Sequence, residues 1–189
     1  MRKLFVLYWL SCGLTVFGQE MRMYDWEIAQ FANPDTVFAI SLTKQKLESL
    51  PENLKQFTQL KKLDLSKNKL KELPAFIGDF TQLEELDLSK NSFTILPLPI
   101  CKLTKLKRLL LGRNQINQLP ACFQYCEALE ELDMWDNPLH EFPEALVPLK
   151  KLKKVDLQGV MYGPTFQQAV RQKLKGVEVL FDAPCDCME

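Results

Sequence analysis

The chain has 189 residues, 47% of them hydrophobic, and its 24 basic residues balance 24 acidic ones. That is enough length and apolar content for one domain with a substantial core. A formal charge of zero gives no basic excess of the kind that draws a protein to nucleic acid, and no acidic tail.

Residues 1–18 read as an export signal: Arg2 and Lys3 lead an apolar run from Leu4 to Phe17, and the small Gly18 precedes polar Gln19 and Glu20. The run is too short for a stable membrane span. The mature protein is expected to begin near Gln19 and to be periplasmic, cell-surface or secreted; lipid anchoring through Cys12 is the alternative. Residues 19–36 should form an N-terminal capping helix. Tyr24, Ile28 and Phe31 recur at helical spacing as its buried face, with Trp26 and Ala29 beside it. Asn33-Pro34-Asp35-Thr36 then turns the chain into the next segment.

Residues 37–162 repeat every 23 residues, six times, without insertion or deletion. The unit starts are VFAISLTKQKL at Val37, LKKLDLSKNKL at Leu60, LEELDLSKNSF at Leu83, LKRLLLGRNQI at Leu106, LEELDMWDNPL at Leu129 and LKKVDLQGVMY at Leu152. Unit positions 4 and 6 are apolar and two apart, so on a strand both point inward while 3, 5 and 7 point out. One unit cannot bury both its strand and its return segment, whereas stacked units roof one another and join their strands into a parallel sheet. Asn68, Asn91, Asn114 and Asn137 stand where each strand turns, and an amide there can serve both donors and acceptors of the turn backbone. Pro51, Pro74, Pro97, Pro120 and Pro143 suit the opening of a short helical or 3₁₀ return, where a missing N–H costs little.

Val160 replaces the sixth Asn, and residues 163–182 should form a C-terminal cap. Thr165 and Gln168 have capping-box spacing at the start of a helix whose buried face is Phe166, Ala169, Val170 and Leu174. Gly176 is placed to stop it. Val177 to Phe181 alternates like a short strand that pairs with the sixth unit. Residues 183–189 read as a loose tail.

The residues offer little for catalysis. His140 is the single histidine and falls in a loop, so no Ser-His-Asp or Cys-His arrangement has a second histidine to draw on. No catalytic, cofactor or metal residue is assigned. Asp64, Asp87, Asp133 and Asp156 share position 5, but Leu110 interrupts the ladder and Lys62, Arg108 and Lys154 lie alongside at position 3, which reads as a solvated face of mixed charge. Cys126 fills a core position. Cys101 and Cys122 lie on the convex side of adjacent units within possible pairing range, and Cys185 and Cys187 fall in the tail.

The departures from the pattern cluster in the fourth and fifth units. Position 5 changes from Asp to Leu110. Position 7 runs Thr43, Ser66, Ser89, Gly112, Trp135, Gln158, so one large aromatic stands beside a glycine. Arg108 and Arg113 flank the spot and Asp133 and Asp136 lie on the neighbouring strand. Aromatic, leucine and arginine among short polar residues is the composition of a binding hot spot. Arg108, Leu110, Arg113, Asp133, Trp135 and Asp136 are the candidate partner-binding set. Lys44 and Lys67, nearer the N-terminal end, should matter far less to it.

These units resemble the leucine-rich repeat family, in the 23-residue form with Leu-Pro in the return segment found in many small bacterial proteins. The resemblance implies an α/β fold: a leucine-rich repeat solenoid with a parallel concave sheet, a helical or 3₁₀ convex side, and N- and C-terminal caps. It also implies a non-catalytic, stand-alone module that binds a protein ligand with its concave face; no nucleic acid partner is expected from the balanced charge, and the protein is expected to be a monomer. The N-terminal cysteine cluster of extracellular animal members is missing, which points to a bacterial source. A carbohydrate-binding surface module using Trp135 as a sugar platform is the alternative.

Overall fold

The repeat period becomes a sheet in which every unit contributes one three-residue strand. In the computed structural model, which describes residues 21–183, the strands are β1 (Tyr24–Asp25), β2 (Ala39–Ser41), β3 (Lys62–Asp64), β4 (Glu85–Asp87), β5 (Arg108–Leu110), β6 (Glu131–Asp133), β7 (Lys154–Asp156) and β8 (Glu178–Leu180). They form one parallel sheet in sequential order. The register is in phase from unit to unit, as at Leu63↔Leu86↔Leu109↔Leu132. The expected export signal, Cys12, Cys185, Cys187 and the tail beyond Ala183 lie outside the described residues.

The core is the column structure of the repeat. Positions 4 and 6 are buried in all six units, from Ile40 and Leu42 to Val155 and Leu157. Return-segment residues Leu54, Ile77, Ile100, Phe123 and Leu146 close the core from the convex side. Each return is a 3₁₀ helix (Glu52–Gln56, Ala75–Asp79, Leu98–Lys102, Ala121–Tyr125 and Glu144–Leu146) immediately preceded by the proline that recurs at unit position 15. Each proline carbonyl accepts the first helical bond, as from Leu54 N–H to Pro51 O at 3.0 Å. The proline's missing N–H is one that no helix would have used. A disulfide joins Cys101 to Cys122 across two neighbouring returns. Cys126 is buried beneath, its thiol pushed up to about 12 by burial.

The asparagine amides tie unit to unit. Asn68 Oδ1 accepts from Gln45 and Leu47 N–H, both at 3.0 Å, while its Nδ2 donates to Leu42 O at 2.8 Å and Leu65 O at 2.9 Å. Asn91, Asn114 and Asn137 repeat the two Nδ2 donations one unit further on each time, with Oδ1 accepting from Leu70, Phe93 and Ile116 N–H in turn. Where Val160 lacks such an amide, the Tyr162 hydroxyl donates to Asn137 O at 3.2 Å. At unit position 8, one residue before the ladder position, the backbone is left-handed: Lys44, Lys67, Lys90, Arg113 and Asp136 have φ between 56° and 61°, and Gly159 has 87°.

Charge on the strands alternates by unit. Positions 2 and 3 read Lys61-Lys62, Glu84-Glu85, Lys107-Arg108, Glu130-Glu131 and Lys153-Lys154. The resulting ion pairs include Lys62–Glu85 at 2.8 Å, Lys107–Glu84 at 2.6 Å, Arg108–Glu131 at 2.8 Å and Lys153–Glu130 at 2.5 Å. Each exposed pair contributes about 0–1 kcal/mol, so the columns favour one register more than they add stability.

Both caps differ in detail from the sequence reading. At the N-terminus Tyr24 and Asp25 join the sheet edge against Ile40 and Ser41, and the helix α1 is only Trp26–Ala29. One turn cannot carry an i to i+7 face, so Trp26 and Ala29 are buried while Ile28 and Phe31 are 57% and 85% exposed. Trp26 packs edge-on against Phe57 with centroids 5.9 Å apart. At the other end α2 runs Pro164–Lys173, with Gly163 as its cap and no side-chain capping bond. Pro164 at the first helical position carries Thr165 into the first turn, so the expected capping box does not form. Gln167 Nε2 instead donates to Tyr162 O at 2.9 Å. Gly176, at φ 84°, follows the helix, and β8 pairs with β7.

Candidate functional site

β5 and β6 carry the irregular part of the concave face. Leu110 is flanked in register by Asp87 on β4 and Asp133 on β6, so a half-buried apolar side chain sits between two carboxylates. Trp135 follows β6. Its backbone N–H donates to Asp133 Oδ1 at 2.8 Å and its carbonyl accepts from Arg113 N–H at 2.7 Å, which fixes the backbone on both sides of the ring. The Arg113 guanidinium lies 4.6 Å from the indole centroid, a cation–π stack worth about 0.5–1 kcal/mol where exposed. Arg113 Nε also approaches Asp136 Oδ2 at 3.7 Å.

Leu110, Arg113, Asp133, Trp135 and Asp136 are thereby gathered on two adjacent units. Arg108 behaves differently. It lies two residues from Leu110 on β5 and is held by Glu131 at 2.8 Å and Glu85 at 3.7 Å, so its charge belongs to the alternating ladder at the rim of the patch. Glu85, Glu131 and Asp87 are neighbours the sequence reading left out. The unit alternation at position 3 was the signal for the first two, and the register of position 5 for the third. Gly112 makes room for the acid rather than the ring: a Cβ there would stand 3.3 Å from both Asp133 carboxylate oxygens.

The aspartate column has a backbone role. Asp64, Asp87, Asp133 and Asp156 each accept from the N–H two residues ahead, at 2.8–3.0 Å, ending the strand with an Asx turn. Burial raises the Asp133 carboxyl above its ordinary value; the Trp135 N–H opposes this and the charges of Asp156 and Asp87 add to it. Asp87 is raised likewise, by burial first, against its bonds to Ser89. Among the described residues no group of three or more His, Cys, Asp or Glu side chains is arranged to hold a metal ion. His140 lies on the outer edge, in a cleft of about 450 Å³ with Asn117, Leu119, Glu141 and Phe142, away from the concave patch. No helix among the described residues is long and apolar enough to cross a membrane.

Comparison with known proteins places the fold. A family model described as a leucine-rich repeat region matches residues 14–180. A leucine-rich repeat protein of Leptospira interrogans superposes with a TM-score of 0.59 at 27% identity over 78% of this chain and 43% of its own. Internalin C2 of Listeria monocytogenes superposes with a TM-score of 0.64 at 20% identity over 78% of this chain and 62% of its own. The chain thus spans less than two thirds of either structure. No curated protein matches the sequence. With six in-phase units, an asparagine ladder and a family match over most of its length, the chain belongs to the leucine-rich repeat family.

Proposed function

We propose that this protein is a non-catalytic recognition module that binds a protein partner with its concave face, centred on Leu110, Arg113 and Trp135 and bordered by Arg108, Asp133 and Asp136. The observation that carries the reading is the Trp135–Arg113 stack beside the half-buried Leu110, on a wall whose other outward positions are small, polar or charged. Its backbone is pinned by Asp133 and Arg113, so the ring is presented without a large ordering cost, as hot-spot aromatics are. The protein is read as exported, and the Cys101–Cys122 disulfide supports this, since such bonds persist in oxidising compartments. It acts as a monomer. A sugar platform on Trp135 is the less favoured reading, because Arg113 already covers one face of the ring.

The test is capture of partners from the native cell envelope, followed by titration of the captured protein against wild type and Trp135→Ala. Affinity should fall by about 2 kcal/mol or more, with the unfolding midpoint little changed. If binding survives while stability drops by several kcal/mol, the ring is only intramolecular packing. If the ligand lost is a glycan, the carbohydrate reading replaces the protein one.

A further inference from the structure

The outward row at unit position 5 crosses five strands in register as Asp64, Asp87, Leu110, Asp133 and Asp156. Leu110 is thus the one apolar side chain in a line of carboxylates. Each aspartate is half-buried, and the Oδ1 of each accepts from the N–H two residues ahead, at 2.8–3.0 Å. A short side chain pinned to its own turn in this way keeps a fixed place on the wall.

The protein's own cations leave this row unmatched. Asp64, Asp87, Asp133 and Asp156 are in no ion pair among the described residues. Position 3 largely cancels within itself: Lys62 goes to Glu85, and Arg108 to Glu131 and Glu85. Lys154 opposes the rise at Asp133 more weakly than Asp156 and Asp87 add to it. At Asp87 the charges that act, Asp64 and Glu85, are both acidic. On the far side of the row Arg113 is taken by the Trp135 ring and by Asp136, while Lys67 and Lys90 stand past the ends of β3 and β4. A cation brought from outside therefore finds its place along position 5, on either side of Leu110.

Resting on the concave-face reading, we infer that the partner segment seated on Leu110 and Trp135 is basic: a large apolar side chain on the leucine, with lysine or arginine on both sides of it meeting Asp87 and Asp133. Covering the row with a partner that lacks cations would leave these carboxylates desolvated and unpaired, a cost that rejects such partners. Nucleic acid and acidic glycans bring further negative charge to the row, and a neutral glycan brings no counter-charge. A small polyamine supplies the charge but leaves Leu110 and Trp135 uncovered. A polypeptide segment supplies both, and arginine can meet a carboxylate through two parallel N–H bonds.

The probe is a random peptide library displayed on phage, selected on the whole protein and counter-selected on Trp135→Ala. Enriched peptides should carry lysine or arginine on both sides of a large apolar residue. The leading peptide, synthesised, should lose about tenfold or more in affinity when its cations are changed to glutamine. Asp87→Asn/Asp133→Asn should weaken it as much and keep the fold, since the asparagine Oδ1 can accept the same N–H; melting at neutral pH checks this. Asp79→Asn/Glu127→Gln, the same charge change at exposed sites off the concave sheet, should stay within about twofold of wild type. Trp135-dependent peptides that are neutral or acidic, or equal weakening by both double variants, overturn the inference and leave the concave-face reading standing. If no enriched peptide depends on Trp135, that reading falls and the inference with it. Displacement by spermine at the concentration at which free peptide competes would show the apolar side chain to be idle, and overturns it too.

Discussion

Replacing Asn137 by alanine tests the turn ladder where it is most enclosed. Asn137 is 1% exposed; its Oδ1 accepts from Ile116 N–H at 3.0 Å, and its Nδ2 donates to Leu111 O at 2.9 Å and to Met134 O and Trp135 O at 3.2 Å. Alanine leaves the Ile116 N–H and the Leu111 carbonyl buried without that partner. Each such group costs about 1–3 kcal/mol, so the substitution should cost about 3 kcal/mol. With a urea dependence of roughly 2 kcal/mol per molar, the denaturation midpoint should fall by about 1.5 M. Asn91 makes the same bonds to Leu70, Leu65 and Leu88 but is only half-buried, so water can replace part of the loss and Asn91→Ala should cost about 1–2 kcal/mol. A midpoint unmoved by either substitution would show that the amides are not what joins the units.

Removing the Cys101–Cys122 disulfide by Cys101→Ser/Cys122→Ser should cost about 3 kcal/mol, from loop-closure entropy over a sequence separation of 21; equal melting temperatures for the variant and wild type would refute this. Cys126 should resist thiol reagents in the native protein and react only on unfolding, because burial holds its pKa at about 12. Rapid labelling of the native thiol would contradict that. Asp87 and Asp133 have folded values raised above 3.8 by burial, so the folded state binds protons more tightly than the unfolded chain. Their contribution to stability therefore grows as pH falls through the folded values toward 3.8. In melting curves taken from pH 7 to 4, Asp133→Asn should remove part of that gain; an unchanged pH profile would count against it.

What could be read from residues alone follows the physics of repetition. Six copies of one spacing made the columns unmistakable, so the strands, the asparagine ladder, the proline-led returns and the inner-face position of Trp135 all follow from a single period. The caps occur once each and depend on local competition. Tyr24 was drawn from helix to strand by the open edge of β2, and Pro164 displaced Thr165 from the cap position. Two backbone features escaped notice although their signals were present. Asp followed two residues later by Ser in the second and third units is an Asx-turn pattern, and Gly159 marked a left-handed position that lysine and arginine disguise elsewhere. The Trp135–Arg113 stack was foreseen as proximity but not as contact, since sequence gives the unit position of a long side chain and not its rotamer.

The alternating strand charges limit how such an array can change length. Excising one unit, for example residues 83–105, would set Lys61-Lys62 beside Lys107-Arg108 and also strand Cys122 without Cys101. Excising two, residues 83–128, would set Lys61-Lys62 beside Glu130-Glu131 and remove both cysteines together. The unit of structure is one repeat, but the unit whose removal keeps neighbouring strand charges opposite is a pair. Shortening in even steps is therefore how this solenoid can be re-engineered with its ion-pair columns still matched.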